Sequence, residues 1–174
     1  MERKYKNIKL IVSVIDGIIT EDMCPIDELG NVPYKSFYMR DFEAINELKK
    51  YFKFVFLSSD NKVTYHLCKR KQIPFFWANR NSKFKTKMDC MAEIRTKYHV
   101  SLDEILFIGY SYSDVECAQM SGACVCGVDA SKKIKDISVK TGMVIDLFGG
   151  TGIISSLYED VLYPEIIVRE KEST

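Results

Sequence analysis

The chain has little net charge. Its 25 Lys and Arg face 24 Asp and Glu, leaving a formal +1, which removes any global argument for nucleic acid or an anionic membrane as partner. It also lacks an apolar run approaching the ~18 residues that a membrane-spanning helix needs. The opening Met-Glu-Arg-Lys-Tyr-Lys has neither the apolar stretch nor the small-residue cleavage site of a signal peptide, so a cytoplasmic location is expected. Histidine is scarce. His66 and His99 lie far from any cysteine pair, and Cys124 and Cys126 are spaced by one residue where zinc sites usually begin with two, so no structural zinc is expected. Six cysteines (24, 68, 90, 117, 124 and 126) make an even count, but a chain of 174 residues that is 47% hydrophobic can bury a core without disulfides. Reduced thiols are the expectation.

What is present alternates. Ile8–Ile15 is a continuous apolar run, the pattern of a strand buried on both faces of a parallel sheet. Asp41–Tyr51 carries Phe42, Ile45 and Leu48 at helical spacing, and Phe54–Leu57 is again a short apolar strand. The same reading gives helices at about 62–70, 85–98, 113–120, 132–139 and 152–162, and strands at 73–77, 105–108, 123–128 and 143–147. Strands alternating with helices predict a single domain over 1–174: a three-layer, Rossmann-like α/β fold with a mainly parallel sheet. About twenty-five residues separate the first strand from the first helix, far more than a usual βα loop. Within them Leu29-Gly30-Asn31 separates two extended segments, which predicts a projecting β-hairpin at about 21–38. Two strands alone are marginally stable, so a second subunit is expected to cover it. Residues 69–97 hold nine Lys and Arg against Asp89 and Glu93, with Phe75, Phe76, Trp77 and Phe84 interleaved. A single-stranded nucleic-acid surface is one reading of that segment. A buried strand flanked by solvated helix faces is the preferred one, because nucleic-acid domains usually show their charge globally.

In parallel α/β sheets ligands bind at the carboxyl ends of the strands. The loops there read Val14-Ile15-Asp16-Gly17-Ile18-Ile19-Thr20, then Leu57-Ser58-Ser59-Asp60, then a helix opening at Lys87, then Gly109-Tyr110-Ser111-Tyr112-Ser113-Asp114. In this order they resemble the haloacid dehalogenase (HAD) superfamily of aspartyl-phosphate phosphohydrolases, over about residues 8–162. More narrowly they resemble its capless branch, which contains 3-deoxy-manno-octulosonate 8-phosphate phosphatase and the C-terminal domain of animal CMP-sialic acid synthetase (N-acylneuraminate cytidylyltransferase). The family pattern is Asp-x-Asp-Gly-x-x-Thr, Ser/Thr, Lys and Gly-Asp-x-x-x-Asp. There the first Asp attacks phosphorus, the second is general acid and base, the hydroxyl and the lysine hold phosphoryl oxygens, and Mg²⁺ neutralises charge.

The resemblance implies the following roles. Asp16 matches the general acid/base, Gly17 the tight turn and phosphate loop, Ser58 the phosphate-binding hydroxyl, Lys87 the phosphate-binding lysine and Asp114 the metal-site carboxylate. The nucleophile position, however, is Val14, and the first Asp of the fourth motif is Tyr110. Valine has no atom that attacks phosphorus or binds a metal. Gly109 to Cys117 looks like the synthetase branch, Val128-Asp129-Ala130 resembles a family loop, and Gly149-Gly150-Thr151-Gly152 resembles the turn before the last helix. The Arg-Glu pair expected after that turn is Ser155-Ser156. The implied reading is a non-catalytic relative of the sugar-acid phosphatases, acting as an oligomerisation or ligand-binding module with no cofactor. Its partners would be its own copies in a homotetramer, as the hairpin assembles the phosphatases it resembles, and a phosphorylated sugar or sugar acid as ligand. The alternative is an active, Mg²⁺-dependent phosphohydrolase working by a modified route. Each residue also has a plainer reading: Asp16 capping its own turn, Lys87 solvated at a helix start, and Tyr110 filling an emptied pocket.

Overall fold

The computed structural model describes residues 5–59 and 64–172. Six parallel strands form one sheet: β1 (Leu10–Ser13), β2 (Lys53–Ser58), β3 (Phe75–Trp77), β4 (Ile105–Ile108), β5 (Ala123–Gly127) and β6 (Met143–Ile145). Their spatial order is β3-β2-β1-β4-β5-β6. Val12 pairs with Val55 on one side and Phe107 on the other, so β1 lies at the centre. All four residues of β1 and all four of β4 are buried, as continuous apolar strands sandwiched between helical layers require. Successive strands are added in one direction from β1 to β3 and in the other from β4 to β6, and this switch opens a crevice beyond the carboxyl ends of β1 and β4.

The helices that cover the sheet are α1 (Met39–Leu48), α2 (Tyr65–Arg70), α3 (Lys87–Tyr98), α4 (Val115–Met120), α5 (Lys132–Thr141), α6 (Ile153–Ser156) and α7 (Tyr163–Glu172). The apolar stripe of α1 presses Phe42 edge-on to Phe56 of β2, with centroids 6.5 Å apart, and Phe56 meets Phe54 at 5.2 Å. The first turn of α2 was expected from residue 62; positions 60–63 lie outside the described residues, as do Asp60 and Asn61 of the second loop. The last helix runs further than its apolar pattern suggests. Between α6 and α7 the helix widens into a π turn over Leu157–Leu162, directly before Pro164. Proline offers no N–H to the carbonyl four residues back and crowds it, and a widened turn relieves both.

The expected β-hairpin takes a different form. The chain does double back at Asp27–Asn31, where Asn31 and Leu29 N–H groups donate to the Asp27 carboxylate at 2.7 and 2.9 Å. Its two arms form no strands. An Asx-type turn forms locally, but Pro25 and Pro33 leave ladder donors missing from the arms that were expected to pair. Around β3, the aromatic-basic segment places the Lys97 ammonium 5.5 Å from the centre of the Phe76 ring and that of Lys83 4.8 Å from Phe84, so lysine charges sit over aromatic faces. All six cysteines are free thiols, and five of them are buried. Among the described residues, no helix is long and apolar enough to cross a membrane.

One buried carboxylate ties the helical layer together. Asp41 of α1 is fully buried, and its Oδ1 accepts from the Ser155 N–H and hydroxyl of α6, both at 2.8 Å. Ser155, where the family resemblance leads one to expect an arginine, is thus a structural tie. Burial raises the Asp41 carboxyl above its ordinary value, against the opposing effect of the Ser155 bonds. A carboxyl whose folded value is raised binds its proton more tightly in the folded state, so its contribution falls as pH rises past the ordinary carboxylate value. The stability of the native chain relative to Asp41→Asn is therefore expected to decline as pH rises above about 4, measured by urea denaturation at each pH. A pH-independent difference would contradict it.

Candidate functional site

The loops at the carboxyl ends of β1, β2 and β4 enclose a cleft of about 310 Å³. Val14, Asp16, Ser58, Lys87, Tyr110 and Asp114 all line it, so six of the positions singled out in the sequence converge there. Gly17 lies behind the lining, with a positive φ of 78° that an L side chain rarely adopts. Its N–H donates to the Thr20 carbonyl at 3.0 Å, closing the turn. A Cβ at Gly17 would run into the Tyr110 ring, which packs flat against the turn.

Asp16 serves the turn and more. Thr20 Oγ1 donates to its Oδ1 at 3.0 Å, the capping role foreseen for it. Both its oxygens also receive the Lys35 ammonium, at 2.7 and 2.8 Å. Lys35 comes from the long segment after β1 and its side chain is 3% exposed against 20% for Asp16. Nothing in the sequence pattern pointed to Lys35; the partners stand nineteen positions apart in irregular chain.

Lys87 is the first residue of α3, and Thr86 before it is the N-cap. The Thr86 hydroxyl accepts from the Asp89 N–H at 3.1 Å while Asp89 accepts from the Thr86 N–H at 2.8 Å, a complete capping box. That cap aims Lys87 inward rather than into solvent. Its ammonium pairs with Asp114 and reaches Ser113 Oγ at 3.1 Å, with side-chain exposures of 9% for Lys87 and 1% for Asp114. The second Asp114 oxygen accepts from the N–H groups of Tyr110 and Ser111 at 2.9 and 2.8 Å and from the Ser111 hydroxyl at 3.2 Å. Asp114 thereby folds the loop after β4. Burial raises the Tyr110 phenol above its ordinary value, with Asp129 and Asp22 acting in the same direction. Ser58 is buried at the end of β2, and its carbonyl accepts from the Ala78 N–H at 2.8 Å. Ile15, Leu57, Ser59 and Ser111, from the same strand-end loops, also line it, whereas Asp22 and Cys24 escaped sequence reasoning because they belong to the long irregular segment after β1.

The Mg²⁺ implied by the motif resemblance would need several hard oxygen ligands in near-octahedral array. Val14 presents hydrocarbon at the end of β1, Tyr110 a ring, Asp16 is engaged by Lys35, and Asp114 is engaged on both oxygens. Among the described residues no group of three or more His, Cys, Asp or Glu is placed to hold a metal ion. These residues do not fit Mg²⁺.

Comparison with solved structures places this geometry in context. The chain superposes on the cobalt-bound deoxy-D-mannose-octulosonate 8-phosphate phosphatase of Haemophilus influenzae with a TM-score of 0.78 at 22% identity, covering 92% of this chain and 90% of that one. The 3-deoxy-D-manno-octulosonate 8-phosphate phosphatase of Moraxella catarrhalis, solved with magnesium, phosphate and the sugar acid, gives 0.78 at 18% identity over 92% and 88%. A chain from Streptomyces avermitilis described as a HAD-family hydrolase gives 0.79 at 21% over 92% and 88%. The fold is that of the HAD hydrolases. No family model matches the sequence, and no curated protein matches it either.

The contact between Gly17 and Tyr110 is open to direct test. Gly17→Ala is expected to cost roughly 2–4 kcal/mol, from positive φ together with the collision. In a Tyr110→Ala background the collision vanishes and only the backbone strain, about 1–2 kcal/mol, should remain. A double-mutant cycle by urea denaturation measures the difference; strict additivity would contradict the contact.

Proposed function

We propose that this chain is a non-catalytic member of the HAD phosphatase group, whose role is assembly with its own copies rather than hydrolysis. Val14 carries the reading. It occupies the cleft at the end of the central strand, where the motif pattern of the phosphatases has its nucleophilic aspartate. Without that carboxylate no aspartyl-phosphate route exists, and losing a nucleophile typically removes many powers of ten in rate. The string Gly109 to Cys117 supports kinship with the C-terminal domains of animal CMP-sialic acid synthetases, which depart from the phosphatase pattern at the same two places.

The assembly surface is the long segment after β1. Met23, Ile26, Leu29 and Tyr34 are 84%, 63%, 81% and 63% exposed in the single chain. Four large apolar side chains on one projecting loop make a patch that a soluble monomer rarely leaves bare. No catalytic group is needed to cover it, so this role is compatible with Val14. A homotetramer is proposed, with a dimer as the smaller form of the same assembly, in a cytoplasmic setting.

Two measurements test this. No Mg²⁺-dependent hydrolysis of p-nitrophenyl phosphate or sugar-acid phosphates is expected above background; turnover that Asp16→Asn abolishes in clean protein would refute catalytic silence. Light scattering coupled to size exclusion should give a tetramer for the native chain at micromolar concentration. Joint replacement of Met23, Ile26 and Leu29 by serine should lower the assembly state while leaving the cleft residues in place. A monomeric native chain, or a triple variant that stays tetrameric, would overturn the assembly reading.

A further inference from the structure

The cleft pairs carboxylates with buried lysine ammoniums. Three carboxylates face it or line it: Asp16, Asp22 and Asp114. Two ammoniums are set against them, Lys35 on both oxygens of Asp16 and Lys87 on Asp114. Both lysine side chains are at least nine-tenths buried, at 3% and 9% exposure, so the attraction is weakly screened by water and salt. The formal sum over these five groups is one negative charge before anything binds. A phosphate monoester, carrying roughly −1.5 to −2 near neutral pH, would meet lysines already facing carboxylates. A divalent cation would have to drive a tethered ammonium off Asp16 or Asp114, while Val14 offers it no replacement oxygen.

We propose that Lys35 and Lys87 act as fixed counter-ions in place of a metal ion, and that the native cleft therefore rejects both a divalent cation and a phosphate dianion. Lys35 is the decisive member because it arrives from the segment after β1 and spends its charge on the carboxylate that catalysis would need unpaired. This runs against the phosphorylated ligand that the motif resemblance implies, and it is independent of subunit number, since the serine variants used for assembly leave Lys35 in place.

The test is isothermal titration with MgCl₂ alone and with inorganic phosphate alone, at neutral pH and low ionic strength. The native chain should bind neither ion at millimolar concentration. Asp16→Asn removes one negative charge beside Lys35 and keeps the shape of the side chain; it should bind phosphate about tenfold or more above the native limit and leave Mg²⁺ binding unchanged. Lys35→Met removes the ammonium and should raise Mg²⁺ binding by a similar factor, whereas Lys35→Arg should behave as the native chain does. A purely structural role for Lys35 would not produce these opposite ion preferences. Native protein that binds either ion as tightly as the variants would overturn the proposal, as would a folded Asp16→Asn whose phosphate affinity is unchanged. Should Lys35→Met fail to fold, the Asp16→Asn result decides alone.

Discussion

Three loops meet at Gly17, and the geometry of the cleft depends on how closely they approach there. The turn after β1 passes through a positive φ of 78° at this residue. On one side the Tyr110 ring of the β4 loop lies against it, and on another Gly149, after β6, packs on its carbonyl. Gly150 then donates to the Ile18 carbonyl at 2.9 Å, and Gly149 to the Asp129 carboxylate at 3.1 and 3.2 Å. A side chain at either glycine would push these loops apart. Because they cannot separate, Asp16 and Asp114 are held on facing walls of one cleft, within reach of lysines from two other segments.

The sheet was legible because parallel strands buried on both faces have to be apolar throughout, and Leu10–Ser13, Ile105–Ile108 and Ala123–Gly127 stand out against polar helical surfaces. Most of the cleft was legible for a related reason: a parallel sheet puts every strand's carboxyl end on the same side, so Asp16, Ser58 and Asp114 are neighbours in space once they are strand-end residues in sequence. Lys35 escaped because an ion pair between two irregular segments leaves no periodic trace. The hairpin was over-read for a different cause: Leu29-Gly30-Asn31 marks a real turn, but turn chemistry is local, whereas a ladder needs donors that Pro25 and Pro33 lack. Ser155 looked like a missing contact until Asp41 supplied its partner.

Buried ion pairs are weak evidence for stability, since removing two charges from water offsets most of their attraction. Their cost here is spread over several hydrogen bonds. Asp114 receives two backbone N–H groups and a hydroxyl in addition to Lys87, and Asp16 receives a hydroxyl in addition to Lys35. Removing one partner would leave the other charge buried and uncompensated, which is the expensive outcome.

That distinction decides which residues are informative about chemistry. Asp16 and Asp114 look catalytic in a motif, yet each has a folding duty that chemistry does not explain: one closes a turn through Thr20, the other satisfies the backbone donors of Tyr110 and Ser111. A chain of this fold has reason to keep both carboxylates whether or not it turns over a substrate. At the end of β1 the side chain ties no loop by hydrogen bonds; Val14 is buried and packs with the core. The Val14 N–H donates to the Ile108 carbonyl, and its carbonyl accepts from the Ser13 hydroxyl, so the backbone is satisfied whatever the side chain. An acid there would bear a burial cost that only chemistry would justify, whereas a valine suits the packing, which makes it the more telling observation.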